Sequence, residues 1–385
     1  MRASTLLALL PLAMAAPSRR ASPAPVLIPR GTQLVEGKYI VKMKAEAHTA
    51  AVDTAIASIK ADADYTYTHS FSGFAASLTS AEIEKLKNDP SVEYIEQDAI
   101  VTITETVTQS NADWGLSRIS SKEPGTTAYN YDSSAGEGTC AYVVDTGIDV
   151  QHPEFEGRAK WLKNFSGDGQ DTDGQGHGTH VSGTIAGKTY GVAKKANLFA
   201  VKVLDSNGEG TNSAVIAGMD FVAKDAAGQE CPKGVVVNMS LGGTQSDAVN
   251  QAAASITGAG LFLAVAAGND GADTSGYSPA SEPSVCTVGA TEKDDTLASY
   301  SNIGELVDIL APGTDITSAW PGNRTNTISG TSMASPHVAG LGAYLLGLGE
   351  KVDGLCDTIA SSALKGAIQG VPQGTVNLLI QNASQ

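Results

Sequence analysis

Four short segments carry side chains that together could act on a carbonyl carbon. Val143-Val144-Asp145-Thr146-Gly147 ends an apolar run on a carboxylate, and Gly176-His177-Gly178-Thr179-His180 sets two imidazoles among glycines. Ala266-Ala267-Gly268-Asn269 ends a second apolar run on an amide. Ser329-Gly330-Thr331-Ser332-Met333-Ala334-Ser335-Pro336 places one hydroxyl, Ser332, ahead of an apolar stretch of helical length. A serine hydroxyl is a poor nucleophile at neutral pH unless a base takes its proton and a third group orients that base. An imidazole, with an ordinary pKa near ~6.5, suits the base. A carboxylate fixes its tautomer and stabilises the imidazolium. An amide donor and the field at a helix N-terminus both favour an oxyanion. The chemistry these groups could perform is acyl transfer through a serine ester.

Each segment alone has a plainer reading. Asp145 and Asn269 could be turn residues and Ser332 a helix cap. Spacing does not choose between His177 and His180 as the base. A metal site on the two histidines lacks an acidic partner of the HExxH type. The context of Ser332 lacks the GxSxG elbow of lipase-type hydrolases. The carboxylate, imidazole and hydroxyl segments in one chain, in the order Asp, His, Ser, argue for joint action, whereas Asn269 by itself reads as a turn residue.

Elements able to position these groups follow from the apolar pattern. Continuous apolar runs at Cys140–Val144, Leu198–Leu204, Val235–Met239, Leu261–Ala266 and Val285–Val288 read as strands buried on both faces. Between them, His177–Ala186, Ser213–Ala227, Asp247–Gly258 and Ser332–Leu348 read as helices. The alternation predicts an α/β, doubly wound, mostly parallel sheet flanked by helices. Asp145 and Asn269 fall at C-terminal strand ends, where such folds place their sites.

The preceding part of the chain is organised differently. Arg2, the apolar stretch Leu6 to Leu12 and the small residues Ala13-Met14-Ala15 read as a secretory signal over residues 1–16. That run is too short to span a bilayer, so the protein is expected to be secreted, without a membrane anchor. Residues 17–106 open with a spacer, Pro17 to Arg30. They then follow a β-α-β-β-α-β order over about residues 37–104, a small ferredoxin-like α+β unit. Thr79-Ser80 is predicted to cap its second helix, with Glu82 closing the box. The third zone is residues 107–385.

With 385 residues, 42% of them hydrophobic and 17% charged, the chain can bury a large core. Its net charge of −16 excludes a nucleic-acid surface. Four cysteines in an oxidising compartment imply two disulfides, with three pairings open. Sequons stand at Asn164, Asn238, Asn323 and Asn382, and Asn238 falls in an expected core strand.

The motifs around Asp145, His177, Asn269 and Ser332 resemble those of subtilisin-like serine proteases, most nearly the fungal proteinase K-like branch, and the resemblance extends over the whole chain. It implies Asp145, His177 and Ser332 as the catalytic triad, with His177 rather than His180 as base. Asn269 would be the side-chain donor of the oxyanion hole. It also implies that Gly208-Glu209-Gly210 and Ser240-Leu241-Gly242 flank an extended peptide. Ala266 and Gly268 would wall the primary pocket, with Tyr277 near its floor. These small, apolar walls imply an aromatic or aliphatic preference, and the absence of an evident acid argues against strict Arg/Lys specificity. The carbonyls of Pro283 and Val285 and the carboxylate of Asp308 would hold one structural calcium. Lys122 stands where a second site would need a ligand. No organic cofactor is implied. The pairings implied are Cys140–Cys231 and Cys286–Cys356, and Val181 replaces a cysteine common in this branch. The N-terminal unit resembles an inhibitory propeptide, removed by the enzyme itself near 105–110, where Glu105-Thr106-Val107-Thr108-Gln109 reads as a polar linker. The partners implied are peptide substrates and this propeptide, and the mature enzyme is expected to be a monomer.

Overall fold

The computed structural model describes residues 22–29, 34–45, 49–69, 71–100 and 106–382. The signal-like residues 1–16 lie outside them. The chain divides into two compact units, up to Thr102 and from Ile103 on.

In the first unit the strands are β1 (Val26–Leu27), β2 (Leu34–Met43), β3 (Tyr65–Tyr67), β4 (Gly73–Ser77) and β5 (Val92–Ala99), with helices α1 (Thr49–Ala57) and α2 (Ser80–Lys87). The sheet order is β1-β5-β2-β4-β3. Without the short β1 this is the ferredoxin-like arrangement expected from the sequence. The predicted capping box is present. Glu82 N–H donates to Thr79 Oγ1, and Thr79 N–H donates to Glu82 Oε2 at 2.8 Å. Val41, Phe74, Leu86, Val92 and Ile95 form the centre of this unit's core.

The second unit is built on nine strands in the order β19-β20-β16-β15-β13-β11-β8-β10-β9. These are β8 (Cys140–Asp145), β9 (Ala159–Asn164), β10 (Asn197–Lys202), β11 (Val235–Met239), β13 (Phe262–Ala266), β15 (Cys286–Thr291), β16 (Ile309–Pro312), β19 (Leu364–Lys365) and β20 (Leu378–Leu379). Every pairing in this sheet is parallel except β19 with β20. Alternate residues of each strand point to opposite faces. Ala141 and Val143 of β8 enter the core that holds helices α4 (His177–Ala186) and α7 (Thr331–Gly347). Tyr142 and Val144 enter the core that holds α5 (Asn212–Asp225) and α6 (Asp247–Gly258). Burial on both faces is why the strands read as unbroken apolar runs.

The remaining pieces are shorter: helices α3 (Trp114–Ile119) and α8 (Leu355–Ser362), and the pairs β6 (Thr106–Gln109) with β7 (Tyr129–Asp132), β12 (Gly243–Thr244) with β14 (Tyr277–Ser278), and β17 (Ile316–Trp320) with β18 (Arg324–Ile328). One sequence expectation changes here. Thr106–Gln109 is not a free linker but a strand of the second unit. Alternating polar residues on a two-stranded edge look like linker in sequence, because only one face of such a ribbon is covered.

Disulfides join Cys140 to Cys231 and Cys286 to Cys356, with Cα separations of 5.6 and 5.7 Å. Asn238 is fully buried, so its sequon offers no acceptor to solvent, whereas Asn323 is exposed on the β17–β18 turn.

Candidate active site

Strand β8 runs through the middle of the sheet, between β10 and β11, and ends at Asp145. The carboxylate is fully buried, and its Oδ1 accepts the Thr146 N–H at 2.7 Å. Helix α4 begins at His177 after Gly176, whose φ of 112° is open to glycine at little cost. Gly178 allows a still closer approach, because a Cβ there would lie 2.0 Å from the Gly147 carbonyl. This contact draws the helix start against the end of β8. His177 Nδ1 lies 2.8 and 2.9 Å from the two oxygens of Asp145. Burial lowers the pKa of this imidazole, but the Asp145 charge and hydrogen bond, with the charge of Asp173, outweigh burial and leave it above the ordinary histidine value.

His180, the other imidazole of the motif, points away. Its Nε2 meets the Ile316 carbonyl at 3.0 Å inside the core, and burial lowers its pKa to about 4. Of the two imidazoles, only His177 meets the Asp145 carboxylate.

Ser332 lies in the first turn of α7, but it is not the cap. Gly330 occupies that position. The Ser332 hydroxyl donates to the Ser240 carbonyl at 3.1 Å rather than to His177. Hydrogen bonds to a catalytic serine are commonly loose without substrate. Pro336 has no N–H for the Ser332 carbonyl four residues before it. Ser240 Oγ fills that gap, donating to Ser332 O at 2.7 Å. Asn238 Nδ2 supports Ser240 Oγ at 3.0 Å, and its Oδ1 accepts from Ser335 Oγ at 2.9 Å. Strand β11 thus holds the start of α7 through a chain of buried polar groups.

The Asn269 amide has a defined orientation. Its Oδ1 accepts from the Thr331 N–H at 2.8 Å and from Thr331 Oγ1 at 2.9 Å. That leaves Nδ2 as the available donor, beside Gly330. The loop carrying Asn269 is stapled by the fully buried Asn302. Asn302 Nδ2 donates to Ala267 O, and its Oδ1 accepts from the N–H groups of Asp270 and Ala272. The sequence reading missed Thr331, Asn302 and the Ser240 side chain as parts of the site. Thr331 adjoins a recognised motif, but nothing local in the sequence marks Asn302.

The segments expected to hold substrate come together. Gly208, Glu209, Gly210, Ser240, Leu241 and Gly242 line one groove of about 630 Å³ with His177. Leu241, Gly242, Ala266, Gly268, Asn269, Tyr277 and Ser332 line an adjoining cavity of about 370 Å³. Asp270 also borders this cavity, an acid the sequence reading did not place there. The Asp270 carboxylate raises the pKa of the Tyr277 hydroxyl above its ordinary value.

Pro283, Val285 and Asp308 line a separate cavity together with Asp357. Burial, opposed by the Thr287 N–H at 2.7 Å and reinforced by the charge of Asp357, raises the pKa of Asp308 to about 6. Two carboxylates share this cavity, and the nearby sulfurs of Cys286 and Cys356 are taken by their disulfide. The donor set is oxygen, which fits a hard cation such as calcium.

A sequence model of the Subtilase family matches residues 136–365, and one of the Peptidase inhibitor I9 family matches residues 38–104. Proteinase T of Parengyodontium album is 70% identical over 290 residues, 75% of this chain and 98% of the relative. The cuticle-degrading protease of Metarhizium anisopliae is 52% identical over 389 residues, with both chains covered in full. A cold adapted subtilisin-like serine proteinase of known crystal structure aligns with a TM-score of 0.67 at 43% identity, covering 71% of this chain and 99% of its own. The two family matches, the extent of the similarity and the αβ architecture agree, and this chain belongs to the subtilase family as a serine protease with an I9-type inhibitor unit ahead of it.

Proposed function

We propose that Ser332 is the nucleophile, His177 the general base and acid, Asp145 its orienting carboxylate and Asn269 the oxyanion donor of an endopeptidase. The observation that carries this reading is the buried Asp145 carboxylate set 2.8 Å from His177 Nδ1, with the other edge of the ring left for the groove. In the acylation step Ser332 Oγ attacks the peptide carbonyl carbon while His177 Nε2 takes the hydroxyl proton. Asp145 accepts the Nδ1–H throughout and stabilises the imidazolium. The carbonyl oxygen becomes an oxyanion held by Asn269 Nδ2 and the Ser332 N–H. The C–N bond then breaks, His177 returns the proton to the leaving amine, and water releases the acyl group by the reverse path.

The cavity walled by Leu241, Gly242, Ala266, Gly268 and Tyr277 suits an aromatic or aliphatic side chain ahead of the scissile bond. Pro283, Val285 and Asp308 would hold one calcium ion, which would add rigidity to the loop before β15. The signal-like N-terminus and two disulfides support a secreted enzyme, and the I9-type unit supports an inhibitor cut off by the enzyme itself. Among the described residues no helix is long and apolar enough to cross a membrane.

The test is covalent labelling with a fluorophosphonate. The wild-type protein should incorporate the probe at Ser332. Ser332→Ala should neither label, nor cleave peptide substrates, nor release the N-terminal unit. A processed, mature-sized product from purified Ser332→Ala would overturn self-processing, and labelling at another serine would overturn the triad.

A further inference from the structure

One carboxylate beside the site belongs to none of the groups above. Asp173, only 4% exposed, precedes α4 and faces its first turn. Its Oδ1 accepts from Thr146 Oγ1 at 2.8 Å and from the N–H groups of Gln175 and Gly176 at 3.2 and 2.7 Å. Its Oδ2 accepts from the Thr179 N–H at 2.8 Å and from Thr179 Oγ1 at 2.6 Å. The two hydroxyls carry the network outward. Thr146 Oγ1 accepts from the Gly178 N–H at 2.9 Å, and Thr179 Oγ1 accepts from the Asp149 N–H at 2.9 Å. Thr146 follows Asp145 directly, and Gly178 follows His177. Five donors to one buried carboxylate are far more than a helix cap needs, since a cap residue satisfies one or two.

We propose that Asp173 is a positioning residue of the reaction, a buried anion that clamps the strand end bearing Asp145 to the helix start bearing His177. The proposal rests on the triad reading above and deepens it. Without the clamp, Thr146 Oγ1 and Thr179 Oγ1 lose the acceptor that orients them toward the Gly178 and Asp149 N–H groups, and the Asp145–His177 pair, whose hydrogen bonds must survive each change of charge on the imidazole, carries more of the tie. With it, the separation of the two catalytic groups is set by neutral donors that do not titrate.

The anion also acts on His177 through space. The charged groups around the imidazole are Asp145 from β8 and Asp173 from the loop before α4, which both raise its pKa, with Lys202 of β10 beside Asp145 and Glu209 across the groove. Lys202 Nζ donates to Thr146 O at 2.8 Å but is balanced by Asp168 at 3.1 Å. His180 on α4 and His337 on α7 are buried with pKa values of about 4, so both are neutral where the enzyme would work. Asp173 is therefore the second uncompensated negative charge that favours the imidazolium. Asp173→Asn should ease deprotonation of His177, so the acid limb of kcat/KM should move to lower pH.

The experiment compares the full chain carrying Asp173→Asn, Thr146→Val or Thr146→Ser with the wild type, using a peptide p-nitroanilide across pH 5–9. In Asp173→Asn the acid limb should fall by about 0.5–1 pH unit, with kcat down roughly 10–100-fold and KM within about twofold. Thr146→Val keeps the charge and breaks the bridge. It should lose about tenfold in kcat without lowering the limb, and Thr146→Ser should restore the rate. A uniform loss of activity in Asp173→Asn with the limb unmoved would overturn the proposal, because a merely structural carboxylate would behave that way. If Asp173→Asn does not accumulate as folded protein, Thr146→Val decides: an unchanged kcat removes the clamp. Fluorophosphonate incorporation at Ser332 of the wild type separates the two failures, since absence of labelling there defeats the triad whatever Asp173 does.

Discussion

Asn269 and Ser332 each hold one polar group in place and leave another available. Both lone-pair directions of the Asn269 carbonyl are met by Thr331, so its NH₂ cannot exchange places with its oxygen without losing two hydrogen bonds. An oriented amide contributes where charge develops, in the transition state rather than in the bound substrate. Asn269→Ala should therefore lower kcat by about 100–1,000-fold with little change in KM, read by steady-state kinetics on a peptide amide. A rise in KM at constant kcat would instead place Asn269 in ground-state binding. At this scale the sequence was most informative. Asp145, the pair His177 and His180, and Ser332 stood out because each combines a reactive group with glycines or a strand end beside it, and the family resemblance added Asn269. Asn302 and Asp173 did not, because an amide in Ser301-Asn302-Ile303 and an acid in Asp171-Thr172-Asp173-Gly174 read as ordinary turn residues.

At the scale of elements, the proline in α7 has a specific consequence. A proline inside a helix normally leaves an unpaired carbonyl and a kink. Here the unpaired carbonyl belongs to Ser332, and β11 supplies the missing donor through Ser240. Ser332 is thereby tied to the sheet rather than only to its own helix. Ser240→Ala should leave a buried carbonyl without its partner, costing about 1–3 kcal/mol by denaturant unfolding of the Ser332→Ala background. A loss below about 0.5 kcal/mol would mean that the carbonyl finds another donor. The sequence showed the long elements well. Both His177–Ala186 and Asp247–Gly258 have the bounds expected from periodicity. It did not show β9, β16 or the β17–β18 hairpin. β9 and the β17–β18 hairpin mix polar and apolar residues and carry little period-2 signal, and the four residues of β16 make too short an apolar run to stand out.

Two features act on the molecule as a whole. The cavity at Pro283, Val285 and Asp308 lies where the Cys286–Cys356 disulfide joins β15 to α8. Chelation with EDTA should lower the Tm of the wild type, and added calcium should restore it. Asp308→Asn should abolish that response, as differential scanning calorimetry would read. An equal calcium response in the variant would move the site elsewhere. Acid should act on the buried histidines. His337, with Nδ1 on the Met333 carbonyl at 2.8 Å, and His180 are both held near pKa 4 by burial. A folded value below the unfolded ~6.5 means that the unfolded chain binds more protons between these limits. Their contribution to stability is thus present above about pH 6.5 and lost as pH falls toward 4. His177 is raised instead, so its smaller contribution has the opposite sense and fades as pH rises past its folded value. The Tm should fall between pH 6.5 and 4, and His337→Gln should flatten that fall. An identical acid slope in His337→Gln would remove His337 from the account.

The amino-acid order by itself determined the architecture and marked the candidate reactive groups. Apolar runs buried on both faces can pair only as an internal parallel sheet, and an Asp, a His, an Asn and a Ser at element ends are visible without coordinates. Only the tertiary structure shows what each imidazole meets: His177 Nδ1 faces Asp145, and His180 turns into the core toward the Ile316 carbonyl. It also decided that Ser332 stands inside the first turn rather than at the cap, and that Asp270 borders the specificity cavity. Asp173, Ser240 and Asn302 support the site through partners on other elements. The physical reason is common to all of these. Hydrogen bonds that fix an active site close across strands and helices far apart in the chain, and one-dimensional periodicity carries no record of such pairings.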